Sequence, residues 1–145
     1  MKRTTPHLLL LAGTMSACAL VVPSILADHH KKPERAHFFE LRTYTTHDGK
    51  LPELHQRFSN HTNKLFVKHG MQLVGYWTPT DEEKSKNTLV YMLAYPDRKS
   101  RDAAWGAFRD DADWKKAFAD SRKNGPLVAK VESQFLTPTH YSPIR

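Results

Sequence analysis

The residues able to do chemistry in this sequence are its histidines, a strand that alternates charged and aromatic side chains, and three tryptophans. Beyond residue 27 the histidines are His29, His30, His37, His47, His55, His61, His69 and His140. A helical zinc pair needs two ligands on adjacent turns, about four residues apart. His55, His61 and His69 are spaced six and eight apart, so no such pair exists and no metal is expected. His29-His30 reads as a solvated pair. His69 closes an apolar stripe, where an imidazolium complements a helix C-terminus, a structural role. No Gly-x-Ser-x-Gly elbow, phosphate-binding glycine loop or dinucleotide fingerprint occurs, and no cofactor is expected.

The best remaining constellation is Glu40, Arg42, Tyr44, Tyr76 and Tyr91. In a dry cavity Arg42 could hold a carboxylate or enolate, and a tyrosine could donate to it. The competing reading is an Arg42–Glu40 or intersubunit ion pair, with the tyrosines filling an interface. Trp77, Trp105 and Trp114 could line a pocket for an aromatic ligand, although at helical or strand spacing tryptophans more often belong to the core.

These residues must be positioned by regular elements. Phe38 to Thr46 has strand composition and ends at His47-Asp48-Gly49-Lys50. Leu51 to His69 repeats Leu51, Leu54, Phe58 and Leu65 at helical spacing, with Pro52 in the first turn and Gly70 after the last. Met71 to Pro79 and Thr88 to Tyr95 read as strands, the second apolar enough to be central. Arg98 to Arg109 is helical, with Ala104, Trp105 and Phe108 on one side. Asp110 or Asp111 caps a further helix through Arg122, carrying Trp114 and Phe118. Asn124-Gly125-Pro126 breaks it, and Val131 to Thr137 is the last strand. The order βαββαβ is that of a ferredoxin-like α+β fold: a four-stranded antiparallel sheet with its helices on one face. On the first strand, Phe39, Leu41 and Thr43 suit the helices. Phe38, Glu40, Arg42 and Tyr44 then fall on the open face, and a mixed face of that kind is expected to be covered by a second copy, enclosing a semi-polar cavity.

The chain has 145 residues, one cysteine, and 22 Lys+Arg against 15 Asp+Glu. That length holds one domain, and one cysteine excludes a disulfide framework. Lys2-Arg3, the apolar run from Leu8 towards Ala27, and the polar Asp28-His29-His30-Lys31-Lys32 describe a secretory signal over residues 1–27, followed by a charged tether at 28–36 and a domain at 37–145. Met15-Ser16-Ala17-Cys18 offers a lipobox-like alternative. The membrane enters only if the leader is retained or Cys18 is lipidated. A cut after Ala27 leaves 118 residues, no cysteine, and 20 basic against 15 acidic residues. The excess is scattered and interrupted by Asp81-Glu82-Glu83 and Asp110-Asp111, so no nucleic-acid site is expected. The expected location is periplasmic or secreted.

Phe39-Glu40-Leu41-Arg42-Thr43-Tyr44-Thr45 resembles the opening of NIPSNAP domains, and so does Gly75-Tyr76-Trp77 on the second strand. Leu93-Ala94-Tyr95, then Ala104-Trp105-Gly106-Ala107-Phe108 and Asp113-Trp114, fit the family's second half. Phe135-Leu136-Thr137-Pro138 and Tyr141-Ser142-Pro143 resemble its close. The resemblance spans Ala36 to Arg145 and implies a dimeric α+β barrel. The family has no agreed catalytic motif, so the resemblance gives no residue a chemical role. Three functions stay open: a homodimer binding a small molecule in the barrel cavity, a cofactor-free monooxygenase-like enzyme acting on a small aromatic substrate, and a non-catalytic envelope scaffold.

Overall fold

The computed structural model describes Met1 and residues 38–144; the expected signal, Cys18 and the tether lie outside the described residues. Strand β1 is Phe38–Thr46, β2 is Gln72–Trp77, β3 is Thr88–Tyr95 and β4 is Val128–Leu136. The sheet is antiparallel in the order β2-β3-β1-β4. This is the expected ferredoxin-like α+β topology. Two strands start or end elsewhere than the spacing suggests: β2 is shorter than Met71 to Pro79, and β4 begins three residues before Val131.

The helical layer begins with α1, Leu51–Arg57, which Pro52 opens at a position where its missing N–H is harmless. A π turn, Phe58–Thr62, follows, and the helix resumes as α2, Asn63–Lys68. The Asn63 N–H reaches back five residues to the Phe58 carbonyl. The buried Thr62 hydroxyl donates to the Arg57 carbonyl at 3.2 Å. Gly70 takes a φ of +79° to turn the chain into β2. Helix α3, Arg98–Asp110, starts at Asp97, whose carboxylate accepts from the Ser100 N–H at 2.6 Å. Asp111 caps α4, Ala112–Asp120, accepting from the backbone of Asp113 and Trp114. The same carboxylate receives His69 Nε2 and Lys68 Nζ, each at 2.7 Å. His69 thus ties the end of α2 to the start of α4, a structural role as expected from its position on the stripe.

The core lies between sheet and helices. Leu54, Phe58, Phe66, Tyr91, Leu93, Trp105 and Phe108 are buried in one cluster. Phe66 meets Phe108 with ring centroids 4.8 Å apart and Trp105 with centroids 5.4 Å apart, the offset and edge geometry that aromatic pairs prefer.

The strand faces are the reverse of the expected ones. Glu40, Arg42 and Tyr44 face the helices, in contact with Trp105 and Phe58. Phe39, Leu41 and Thr43 face away. The reason is satisfaction of charge. A buried carboxylate needs partners, and α3 brings two side chains that supply them, whereas the aliphatic residues need none. The open face is therefore mixed, with apolar residues at its centre: Gln134, Leu41, Met92 and Gly75 form one row across the sheet, and Glu132, Thr43, Val90 and Trp77 the next. Phe39, on that face, is nonetheless buried, in a cavity bordered by Leu136, Pro138 and Ile144.

Candidate functional site

All five residues singled out by the sequence come together, on the helix side of the sheet. Register places Ser133, Arg42, Tyr91 and Tyr76 in one row across all four strands. Glu40 and Tyr44 flank Arg42 on β1. Arg42 Nη1 donates to Glu40 Oε1 at 2.6 Å and Nη2 to the Tyr44 hydroxyl at 3.3 Å. The Tyr44 ring meets Tyr91 edge-on at 5.3 Å, and Tyr76 stacks on Tyr91 at 5.6 Å.

The row has two ends of different character. At one end Glu40, fully buried, is saturated. Arg101 binds it bidentately, Nη2 to Oε1 at 2.6 Å and Nε to Oε2 at 2.9 Å, and Trp105 Nε1 donates to Oε2 at 2.9 Å. The Arg42 guanidinium lies 4.4 Å from the Trp105 ring centroid. Burial pulls the Glu40 pKa upward, but hydrogen bonding from Arg101 and the charge of Arg42 outweigh it, and the carboxyl stays below its ordinary range. Burial likewise pulls Arg42 down, and the oxygens of Tyr91, Tyr44 and Glu40 more than compensate. Every carboxylate oxygen is occupied, so this end is built to hold β1 against α3. The ion-pair reading of Glu40 and Arg42 holds within the chain.

At the other end the polar groups lack partners. The hydroxyls of Tyr76 and Tyr91, the Arg42 Nε and the Asn63 Oδ1 are buried without a hydrogen bond. An orphaned buried group of this kind costs about 1–3 kcal/mol, and each calls for an explanation, such as a bound water, an ion or a ligand. Burial pushes the Tyr76 hydroxyl up to about 12 and Tyr91 well above its ordinary value. Both therefore stay protonated as donors at neutral pH.

A cleft of about 590 Å³ opens at this second end. Phe58, Ser59 and Asn63 of the π turn and its exit form one wall, Tyr76, Trp77 and Leu89 another, and His55 stands at α1. Trp77 borders the cleft from β2, but its half-exposed ring lies on the opposite, open face, outside the core that holds Trp105. Gly75 lets its ring fold back: a Cβ at position 75 would lie 2.7 Å from ring atoms of Trp77. Phe58 meets both Tyr76 and Tyr91 edge-on, and the rings of Phe58 and Tyr76 give the cleft its aromatic lining. The π turn matters because such turns are uncommon and recur at functional sites. Among the described residues no group of three or more His, Cys, Asp or Glu comes together as a metal site.

Sequence reasoning missed Asn63, Arg101 and the π turn. Arg101 and Trp105 lie one helical turn apart, a spacing that could have flagged α3 as the partner of a buried acid. Nothing in the local sequence marks the π turn.

A four-stranded antiparallel sheet in the order β2-β3-β1-β4 with a helical layer on one face is the ferredoxin-like α+β fold. A family model, NIPSNAP, matches residues 39–143, and the chain belongs to that family. It is similar to an uncharacterised NIPSNAP domain protein of Burkholderia xenovorans, with 26% identity over 73% of this chain and 98% of the other and a TM-score of 0.63. It is similar to a NIPSNAP family protein of unknown function from Agrobacterium tumefaciens, with 22% identity, coverage of 77% and 96%, and a TM-score of 0.66. In fold alone it resembles a Streptomyces coelicolor monooxygenase solved in complex with nanaomycin D, with 14% identity, coverage of 74% and 92%, and a TM-score of 0.53. No curated protein matches the sequence.

Proposed function

We propose that this NIPSNAP domain binds a small hydroxylated aromatic molecule in the cleft between the π turn and β2. The observation that carries the reading is the pairing of an aromatic cleft with two buried, partnerless polar atoms on its walls, the Tyr76 hydroxyl and the Asn63 Oδ1. A phenolic hydroxyl suits both: it accepts from Tyr76 and donates to the Asn63 carbonyl oxygen. The planar body of the ligand stacks against Phe58 and Tyr76. The volume, about 590 Å³, falls within the range of small-molecule sites. Ligand binding in a structurally similar monooxygenase supports the reading at the level of fold only. The test is titration with naphthol and with nanaomycin D, read by quenching of tryptophan emission. Saturable quenching that is weakened by Tyr76→Phe supports the site; quenching that rises linearly and ignores the substitution removes it.

The cavity expected between two open sheet faces is not needed for this site, which lies on the helix side of one chain. A homodimer through the open face remains part of the proposal, now carried by Leu41, Met92, Val90 and Trp77 on that face. Export through residues 1–27 is likewise proposed from the leader pattern.

A second reading has one observation in its favour: among the described residues His55 is the one imidazole bordering the cleft. It could accept the proton of a bound phenol and so favour its oxidation by dioxygen without a cofactor. Oxygen uptake in the presence of naphthol, abolished by His55→Gln while binding persists, would support it; binding without uptake leaves a binder.

A further inference from the structure

Helix α1 carries an arginine on its buried side. Leu51, Leu54 and Arg57 are three apart, and Arg57 is only 5% exposed. Its Nη1 donates a long hydrogen bond to Ser121 Oγ at 3.3 Å, and its Nε has no partner. Trp114 and Phe118 each present a ring with its centroid 5.4 Å from the guanidinium carbon. These faces ease the burial of a cation but accept no hydrogen bond in the guanidinium plane. Among the described residues no carboxylate pairs with it. This contrasts with Arg42 and Arg101, which both bind Glu40. An uncompensated buried charge is among the most costly features a core can hold.

The surroundings do not supply the missing anion. Glu53, on α1, is held by Lys50 at 2.7 Å. Asp120, on α4, is held by Lys116 at 2.6 Å and Lys123 at 2.9 Å. His61 stands at the rim of the cleft beside Arg57. Arg122 adds a further positive charge that acts against the Arg57 cation, and burial, the larger influence, lowers its pKa as well. The neighbourhood therefore has cations to spare.

Arg57 also borders open space. A cleft of about 340 Å³ between α1 and α4 is lined by Arg57, Gln56, Asn60, Ser121 and Asn124, with Glu53 and Asp120 also on its walls. The amides and the hydroxyl can donate to an anion. This cleft is distinct from the aromatic one on the far side of the π turn, with which it shares Gln56.

We propose that the α1–α4 cleft binds a small carboxylate anion, with the Arg57 guanidinium as its counter-charge and Gln56, Asn60 and Asn124 as supporting donors. A guanidinium edge with a free Nε matches the two oxygens of a carboxylate, the side-on geometry that favours carboxylates over spherical anions. Glu53 and Asp120 limit the site to a small anion of low charge, because a bulky polyanion would approach both acids.

The test uses the full-length protein and succinate, acetate, inorganic phosphate and chloride at constant ionic strength. The Arg57 side-chain Nε–H resonance, assigned by its absence in Arg57→Lys, is followed by NMR. The expected result is a saturable shift with acetate, and a weaker one with the doubly charged succinate. Wild-type Tm should rise by several degrees at saturating carboxylate, and Arg57→Met should lose that response. A shift that never saturates, an equal response to chloride or phosphate, or an Arg57→Met protein that keeps the carboxylate response would each overturn the assignment. If Arg57→Met does not fold, the wild-type resonance decides the question alone.

Discussion

Tyr76 lies flat against Tyr91, ring centroids 5.6 Å apart and planes within 19° of parallel, and neither hydroxyl has a hydrogen-bond partner. The two residues are directly opposite each other on β2 and β3. Cross-strand aromatic packing explains the stacking. It does not explain two orphaned hydroxyls, which phenylalanine would avoid at no loss of packing. The hydroxyl at the cleft is the feature that separates a binding surface from a core.

Tyr76→Phe should therefore leave stability unchanged or raise it by about 1 kcal/mol, since an unsatisfied buried hydroxyl is removed while the ring remains. The same substitution should weaken binding of naphthol about tenfold. Thermal unfolding and a fluorescence titration on the same sample check both halves. A large loss of stability would show that the hydroxyl is structural.

Glu40 behaves in the opposite way. Glu40→Ala leaves Arg42 and Arg101 buried beside an empty position and should destabilise the fold by about 3–5 kcal/mol. Urea unfolding measures this. Glu40→Ala retaining near wild-type stability would contradict the claim that this carboxylate joins β1 to α3.

The same residue sets an acid dependence. Its folded pKa lies below the ordinary 4.5, so the unfolded chain takes up the proton first as pH falls. The stabilisation is fully present above about pH 4.5 and is lost as pH drops through the folded value. In unfolding experiments between pH 7 and pH 3 the wild type should lose stability below that point more steeply than Glu40→Gln. Parallel curves would remove Glu40 as the source.

Gly75→Ala puts a methyl 2.7 Å from Trp77 ring atoms, so the ring must swing away. The half-exposed indole has room to do so, and the fold should survive. Tryptophan emission should shift to the red, while naphthol binding, on the other face of the sheet, should be unchanged. A several-fold fall in binding would contradict a ligand wall made of Phe58 and Tyr76 without Trp77.

The sequence made the strands, their order and the five-residue cluster legible. The β1 and β3 limits follow from composition and from the polar turns that bound them. It did not reveal which face of β1 is covered. Phe39, Leu41 and Thr43 look like core, and Glu40 and Arg42 look exposed, because local composition carries no information on a partner 61 or 65 residues away. Arg101 and Trp105 decide the matter from α3. The Phe58–Thr62 π turn was hidden for a related reason: Leu54, Phe58 and Leu65 suit an unbroken helix, and the extra residue shows only in backbone hydrogen bonding.

The proposed homodimer would use the open face, where Leu41 and Met92 stand in one cross-strand pair. Leu41→Glu should turn a dimer into a folded monomer, read by light scattering alongside circular dichroism. A wild-type chain that scatters as a monomer at all concentrations would remove this part of the account.

The central claim is tested most directly by the stoichiometry and position of naphthol binding. Calorimetric titration of the wild type is predicted to give one saturable site per chain, and a crystal grown with the ligand should place its hydroxyl beside Tyr76 and Asn63. No saturable heat, or density for the ligand between two open sheet faces instead, would contradict it.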